Sequence, residues 1–274
     1  MPAEHMQELT VAVGGFGAIG HKVARALDAG IAGLRLVAVS ARNMARAEAA
    51  MSDFTRPVPV LPLEGLPDVA DIVVECAPAD MLVTIAEPTL KAGRTLIVIS
   101  VGALLSSDHL VALASRHGGR IIVPTGALIG LDAVTAAAEG IIHSVRMITR
   151  KPVHGLAGAP YLVRHGIDLD DLSEPRLVFK GTAREAARGF PANLNVAAAL
   201  GLAGLGPDRT MLEIWADPGV SRNIHTIEVK SDSADFTMTI QNIPSEGNPK
   251  TGKITPLSII AALRKLNAPL RLGT

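Results

Sequence analysis

Hydrophobic positions follow two rhythms along this chain. Up to Pro124 they come as short unbroken runs, at residues 9–13, 34–40, 71–77, 95–102 and 120–124. Each run is strand-length, rich in Val and Ile, and largely without a polar face, which is the pattern of a strand buried on both sides. Between the runs lie segments with helical spacing. Lys22 to Leu27 sets Val23, Ala26 and Leu27 on one face and ends near Gly30. Ala79 to Lys91 repeats that spacing but contains Pro88, where a kink or an early stop is expected. A third helix should follow the 95–102 run, capped by Ser106 or Ser107. Asp108 would sit in its first turn, Leu110, Val111 and Leu113 would form its stripe, and Gly118 would end it. Buried strands alternating with amphipathic helices predict an α/β fold, a Rossmann doubly wound parallel sheet covered on both faces.

The rhythm changes after Gly140. Residues 141–149 alternate apolar and polar, as in a sheet with one face open, and a loop over 150–160 follows. A strand at 176–180, a short helix at 182–188 and a longer one from Pro191 to Ala203 come next. Three runs that alternate like antiparallel strands, at 211–216, 223–229 and 236–240, precede a closing helix at 256–266. A second, α+β domain built on an open-faced sheet is therefore expected. The boundaries predicted are 1–135 for the first domain, 136–250 for the second, and 251–274 for a helix packing back on them.

The first run leads into Gly15-Phe-Gly-Ala-Ile-Gly20 and then directly into a helix. In that strand-turn-helix setting the glycines have separate tasks. Gly15 permits the tight turn, Gly17 lets backbone amides approach a pyrophosphate, and Gly20 lets the helix pack close to the sheet. Phe16, Ala18 and Ile19 complete the loop, and the phosphates would sit at the helix N-terminus. An NAD-specific site adds an Asp or Glu about 20 residues further on, to hold the ribose hydroxyls. This chain has Ser40-Ala-Arg-Asn43 instead. Arg42 could pair with a 2′-phosphate, so NADP or NAD is expected as cofactor, with a shift toward NADP. The ends of the strands, including Cys76, Ala77 and Ala127, should line the ligand crevice. Cys76 has no Lys, Arg or His beside it in sequence and is expected to be a structural thiol rather than a nucleophile.

Composition narrows the partners. Net charge is zero with 26 basic and 26 acidic residues, so neither nucleic acid nor an anionic membrane is implied. Aromatics make up 3% of the chain, too few for a base-stacking platform. No apolar run approaches the length of roughly 20 residues that spans a bilayer, and the N-terminus lacks a signal-peptide pattern. With the one cysteine, a cytoplasmic setting is expected. The scattered histidines show no metal-ligand spacing, so no metal site is expected.

Several segments together resemble the L-aspartate dehydrogenase family. They are residues 15–20, 74–77, 100–103, 149–152 and 179–186; Pro-Thr-Gly-Ala-Leu-Ile-Gly-Leu-Asp-Ala at 124–133; Phe-Pro-Ala-Asn-Leu-Asn-Val-Ala-Ala at 190–198; Asn-Ile-His at 223–225; and Asn-Pro-Lys-Thr at 248–251. The resemblance implies oxidation of L-aspartate to oxaloacetate and ammonia through iminoaspartate, with NAD or NADP, in a homodimer and with a possible role in NAD biosynthesis. It implies His225 as the catalytic histidine, Ala127 as a cofactor contact, and Asn193 or Asn195 as another; helix geometry puts the two on different faces, and Asn195 is preferred. Where the family commonly reads Pro-Ser-x-Glu-Asn-Pro-Lys-Thr, this chain has its glutamate one position early, at Glu246. No substrate role is assigned to Glu246.

Taken by spacing alone, His225 alternates with Ile224 and Ile227 and reads first as a histidine packed or exposed on a sheet. His143, His154 and His165 have no comparable support. An amino-dicarboxylate needs cationic partners, for which Arg150, Lys151, Arg222, Lys250 and Lys253 are candidates, each in a predicted loop. Rival readings are a reductase similar to dihydrodipicolinate reductase or homoserine dehydrogenase, and a nicotinamide-nucleotide sensor without turnover.

Overall fold

The computed structural model describes residues 8–190, 194–245 and 248–273. The chain forms two compact units, one of residues up to Pro124 with Pro256–Leu272, the other centred on Thr125–Thr255.

In the first unit β1 (Leu9–Gly14), α1 (Ala18–Asp28) and β2 (Leu34–Ser40) form the opening βαβ element. There follow α2 (Met44–Ala50), α3 (Leu66–Val69), β3 (Ile72–Glu75), α4 (Leu82–Lys91), β4 (Thr95–Val98), α5 (Val101–Leu104), α6 (His109–His117) and β5 (Arg120–Ile122). The five strands are all parallel, in the order β2-β1-β3-β4-β5. Alternate side chains feed two cores. Val11, Val13, Val74 and Ile97 enter one, and Ala12, Val73, Leu96 and Val98 the other, which is why these strands read as unbroken apolar runs. The chain leaves β1 toward β2 and returns on the other side to β3, so the crevice at the carboxyl ends of β1 and β3 is the topological switch point.

Three local expectations are corrected here. The fourth strand stops at Val98, because the Glu75 carboxylate accepts from Ile99 N at 3.1 Å, Ser100 N at 2.9 Å and Ser100 Oγ at 2.9 Å and turns the chain into α5. Pro88 does not stop α4. Buried Ile85, Ala86 and Leu90 hold the helix in place, and Thr89 Oγ1 donates to Ile85 O at 2.6 Å near the missing amide. Asp108 is the N-cap residue of α6, and Ser107 Oγ donates back to Ala103 O at 3.1 Å instead of capping.

The second unit contains α7 (Leu131–Ala138), β6 (Ile142–Lys151), α8 (Pro160–Arg164), β7 (Arg176–Thr182), α9 (Ala183–Gly189), α10 (Asn195–Ala203), β8 (Thr210–Ala216), β9 (Ile224–Ser231), β10 (Asp235–Gln241), β11 (Pro244–Ser245) and β12 (Asn248–Gly252). Pro191, expected to open the helix now seen as α10, lies outside the described residues. The main sheet runs β10-β9-β6-β8-β7. It is mixed rather than wholly antiparallel. β8 lies parallel to β6, since it returns only after β7 and the helices α9 and α10 have made the long crossover that parallel pairing requires.

Register assigns the two faces of that sheet. Val145, Met147, Leu212, Ile214, Ile227 and Val229 point into a core with Val196, Ala197 and Leu200 of α10. The opposite face carries Arg146, Glu213 and Glu228.

The last helix, α11 (Ile254–Asn267), buries Ile259 and Leu263 in the first unit's core with Val11, Val23 and Leu36. Asn267 Nδ2 donates to Gly33 O at 2.7 Å. Among the described residues no helix is long and apolar enough to cross a membrane.

Candidate active site

The glycine turn of the first unit has little tolerance for side chains. Gly15 adopts φ +105°, and a Cβ there would lie 2.6 Å from the backbone of Cys76 and Ala77. At Gly20 a Cβ would land on the Gly15 carbonyl oxygen. Gly17 is different: it is exposed, a Cβ would meet nothing within 4 Å, and it is the N-cap residue of α1 with no side chain capping the helix. First-turn amides of α1 are therefore left without a side-chain partner beside open space, as a pyrophosphate needs. Phe16 packs edge-on against His21 and Phe54, Ala18 is exposed, and Ile19 lies against the core.

Cys76 and Ala77 border this turn, with Cys76 N donating to Gly14 O at 2.7 Å. Burial, and after it the Glu75 carboxylate, push the Cys76 thiol well above its usual pKa, so it stays protonated and poorly nucleophilic. Burial also raises Glu75, against the hydrogen bonds from Ser100 and Ile99 that favour its charged form. Arg42 is exposed in the loop after β2, where Asn43 Oδ1 accepts from Arg46 N at 2.9 Å and caps α2.

In the second unit His225 lies on the core face of β9, 2% exposed. It stands opposite Thr149 of β6, and its Nδ1 is 3.2 Å from Thr149 Oγ1. Burial, and after it the charge of Lys151, lower the imidazole pKa from 6.5 to about 3. A neutral ring has one donor and one acceptor nitrogen. The tautomer that donates from Nδ1 to Thr149 leaves Nε2 as a proton acceptor.

Lys151 ends β6 two residues beyond Thr149 and therefore on the same face. It is 3% exposed, and burial lowers its ammonium from 10.5 to about 8. Expected in a loop and grouped with solvated cations, it is a buried strand residue. The signal that could have singled it out is parity, because Lys151 falls in phase with Val145, Met147 and Thr149. Thr149 itself was overlooked as a partner for His225, since cross-strand register is invisible in one strand's sequence.

The other candidates are placed differently. Arg150, on the opposite face, pairs with Asp217 at 2.9 Å and lies over the Trp215 ring. Arg222 is half-buried, while His143, His154 and His165 are exposed. Ala127 is half-buried, and its carbonyl accepts from Asn242 Nδ2 at 2.9 Å. Asn195 opens α10 with an exposed side chain. Asn193, Glu246 and the Lys250 side chain lie outside the described residues. Among the described residues no group of three or more His, Cys, Asp or Glu could hold a metal ion. Two clusters thus form: the glycine turn with Cys76 and Ala77, and His225 with Thr149 and Lys151.

Residues 15–124 match the family model described as Homoserine dehydrogenase, NAD binding domain, and residues 132–266 match Aspartate dehydrogenase, C-terminal. An L-aspartate dehydrogenase of Bradyrhizobium diazoefficiens is 61% identical over 267 residues, covering 97% of this chain and 95% of the relative. L-aspartate dehydrogenase 3 of Bordetella bronchiseptica is 60% identical over 269 residues, 98% of each chain. The crystal structure of aspartate dehydrogenase from Thermotoga maritima shares the fold, with a TM-score of 0.70 at 24% identity over 97% of this chain and 99% of that one.

Proposed function

Because the chain belongs to the L-aspartate dehydrogenase family, we propose that it oxidises L-aspartate to oxaloacetate and ammonia through iminoaspartate, coupled to reduction of NAD(P). When bound, the nicotinamide supplies the acceptor for the hydride that leaves the substrate Cα. The protein's tasks are to hold the substrate and to move protons. His225 Nε2 takes a proton from water as the oxygen adds to the imine carbon, and returns it as ammonia departs. Thr149 holds the ring in place, and this role uses the tautomer with its proton on Nδ1. The observation that carries this assignment is a buried imidazole, held neutral, whose Nδ1 is engaged by Thr149. In the overall reaction aspartate, NAD(P)⁺ and water give oxaloacetate, ammonium, NAD(P)H and a proton.

NAD(P) use is supported by the matched NAD-binding domain and by the room at Gly17. A preference for NADP is proposed on the absence of an acid among residues 40–43 and the exposed Arg42. Residues 1–135 are assigned to cofactor, 136–250 to substrate and self-association, and 251–274 to the packing helix. A cytoplasmic homodimer feeding iminoaspartate to NAD biosynthesis is the proposed setting. Light scattering at the monomer mass, or recovery with membranes on fractionation, would count against it.

The decisive assay follows NAD(P)H absorbance with oxaloacetate and ammonia, using each cofactor in turn. Wild type should turn over, with the lower KM for NADP, and His225→Asn should lose about 10²- to 10⁴-fold in kcat with folding intact. Near wild-type kcat in His225→Asn would remove the role.

A further inference from the structure

Lys151 presents an unusual balance. An ammonium so little exposed is costly unless an anion or a set of acceptors answers it. Among the described residues no carboxylate pairs with it. The acid nearest in strand register is Asp217, next to Ala216, which stands opposite Lys151; its amide donates to Lys151 O at 2.9 Å. Both oxygens of its carboxylate are engaged elsewhere, one with Arg150 at 2.9 Å and one with Gly219 N at 2.9 Å. The neighbouring cations of the sheet are answered: Arg146 and Lys180 reach Glu213 at 3.0 and 3.1 Å. Lys151 alone of these four points to the core face, beside a neutral histidine whose proton affinity its charge lowers further.

A buried cation with no ion-pair partner among the described residues, on the same face as a proton acceptor, suits a site whose anion arrives with the substrate. Resting on the aspartate reading above, we propose that the Lys151 ammonium anchors a carboxylate of the amino-dicarboxylate substrate, held next to His225. The incoming carboxylate supplies the missing counter-charge in surroundings that screen it little, so the pair forms with charge-assisted strength. Anchoring there also places the substrate within the neighbourhood of His225, so recognition and proton transfer share one patch of sheet.

The test compares wild type with Lys151→Met and Lys151→Gln. Two measurements are made: the KM for oxaloacetate and for cofactor in the reductive assay, and the affinity of the cofactor-loaded protein for succinate, a dicarboxylate that cannot react. Loss of the anchor should raise KM for oxaloacetate and weaken succinate by about 10- to 100-fold, with cofactor KM within about twofold of wild type. Gln keeps polarity without charge and secures the result if Met disturbs packing. Unchanged oxaloacetate KM and succinate affinity in both variants would overturn the anchor. Succinate binding that depends on Lys151 in a wild-type protein unable to turn oxaloacetate over would retain the anchor and reject the aspartate reading.

Discussion

The two faces of the second sheet use charge in opposite ways, although the same strands build both. On the open face Arg146 reaches Glu213 at 3.0 Å and Glu228 at 3.1 Å, while Lys180 shares Glu213 at 3.1 Å. These four residues answer one another's charge, and Arg146 and Lys180 stay largely in water. On the core face His225 and Lys151 are nearly fully buried, the first neutral and the second with no ion-pair partner among the described residues. Paired charges at a surface contribute little and can be exchanged for other residues. Buried groups held away from a partner cost stability, and such a cost persists where chemistry needs the group. The contrast is what the proposed roles of His225 and Lys151 rest on.

Acid should break this contrast most severely. The His225 pKa is depressed from 6.5 to about 3, so the unfolded chain takes up a proton that the folded chain refuses. Stability is then full above about pH 6.5 and falls as pH drops toward 3, by up to about 5 kcal/mol at about 1.36 kcal/mol per pKa unit. Urea denaturation across that window should show the loss in wild type and a shallower slope in His225→Asn. Equal slopes would mean that the ring is not held neutral.

How much of this was legible in the chain depends on which physical signal each feature leaves. The parallel sheet could be read because strands buried on both faces must be apolar throughout, as Val11 to Val13 and Val73 to Val74 are. The glycine turn could be read because Gly15 and Gly20 answer steric demands that no other residue meets. Pairing partners left no such trace. Alternation in β8 told that one face was open but not that its neighbour would be the parallel β6. Short Ala-rich α2 and α7 went unread, since Ala sits as comfortably in a loop against a core as in a helix. His225 was singled out by resemblance and not by its strand pattern. Lys151 was missed as a buried group because the strand was ended at Thr149, and a lysine past a strand end is ordinarily solvated.

Removing the buried cation should strengthen the fold. Lys151 has its pKa lowered from 10.5 to about 8 by burial alone, so the folded state disfavours its charge. Above about pH 10.5 neither state carries the proton and the penalty vanishes; it grows as pH falls to 8 and is constant below, at about 3 kcal/mol. Lys151→Met should therefore be more stable than wild type by up to that amount at pH 7, with the gain shrinking near pH 10. It would do so while losing substrate affinity, a trade of stability for function. A Met variant less stable than wild type at pH 7 would show that Lys151 is held by favourable contacts, and would erase the difference between the two faces.

The open face supplies the smallest effect. Glu228 is 39% exposed and is one of two partners of Arg146, whose other partner, Glu213, also holds Lys180. In Glu228→Gln the amide still offers an oxygen to the guanidinium, Arg146 keeps Glu213, and water solvates what is left. The loss should stay below about 1 kcal/mol and shrink as salt is raised, with kcat and both KM values unchanged. His225 lies three residues away on the same strand but on the other face. If Glu228→Gln altered KM for oxaloacetate as strongly as Lys151→Met does, charge on the two faces would be coupled through the sheet, and burial rather than pairing alone could no longer mark the side that binds.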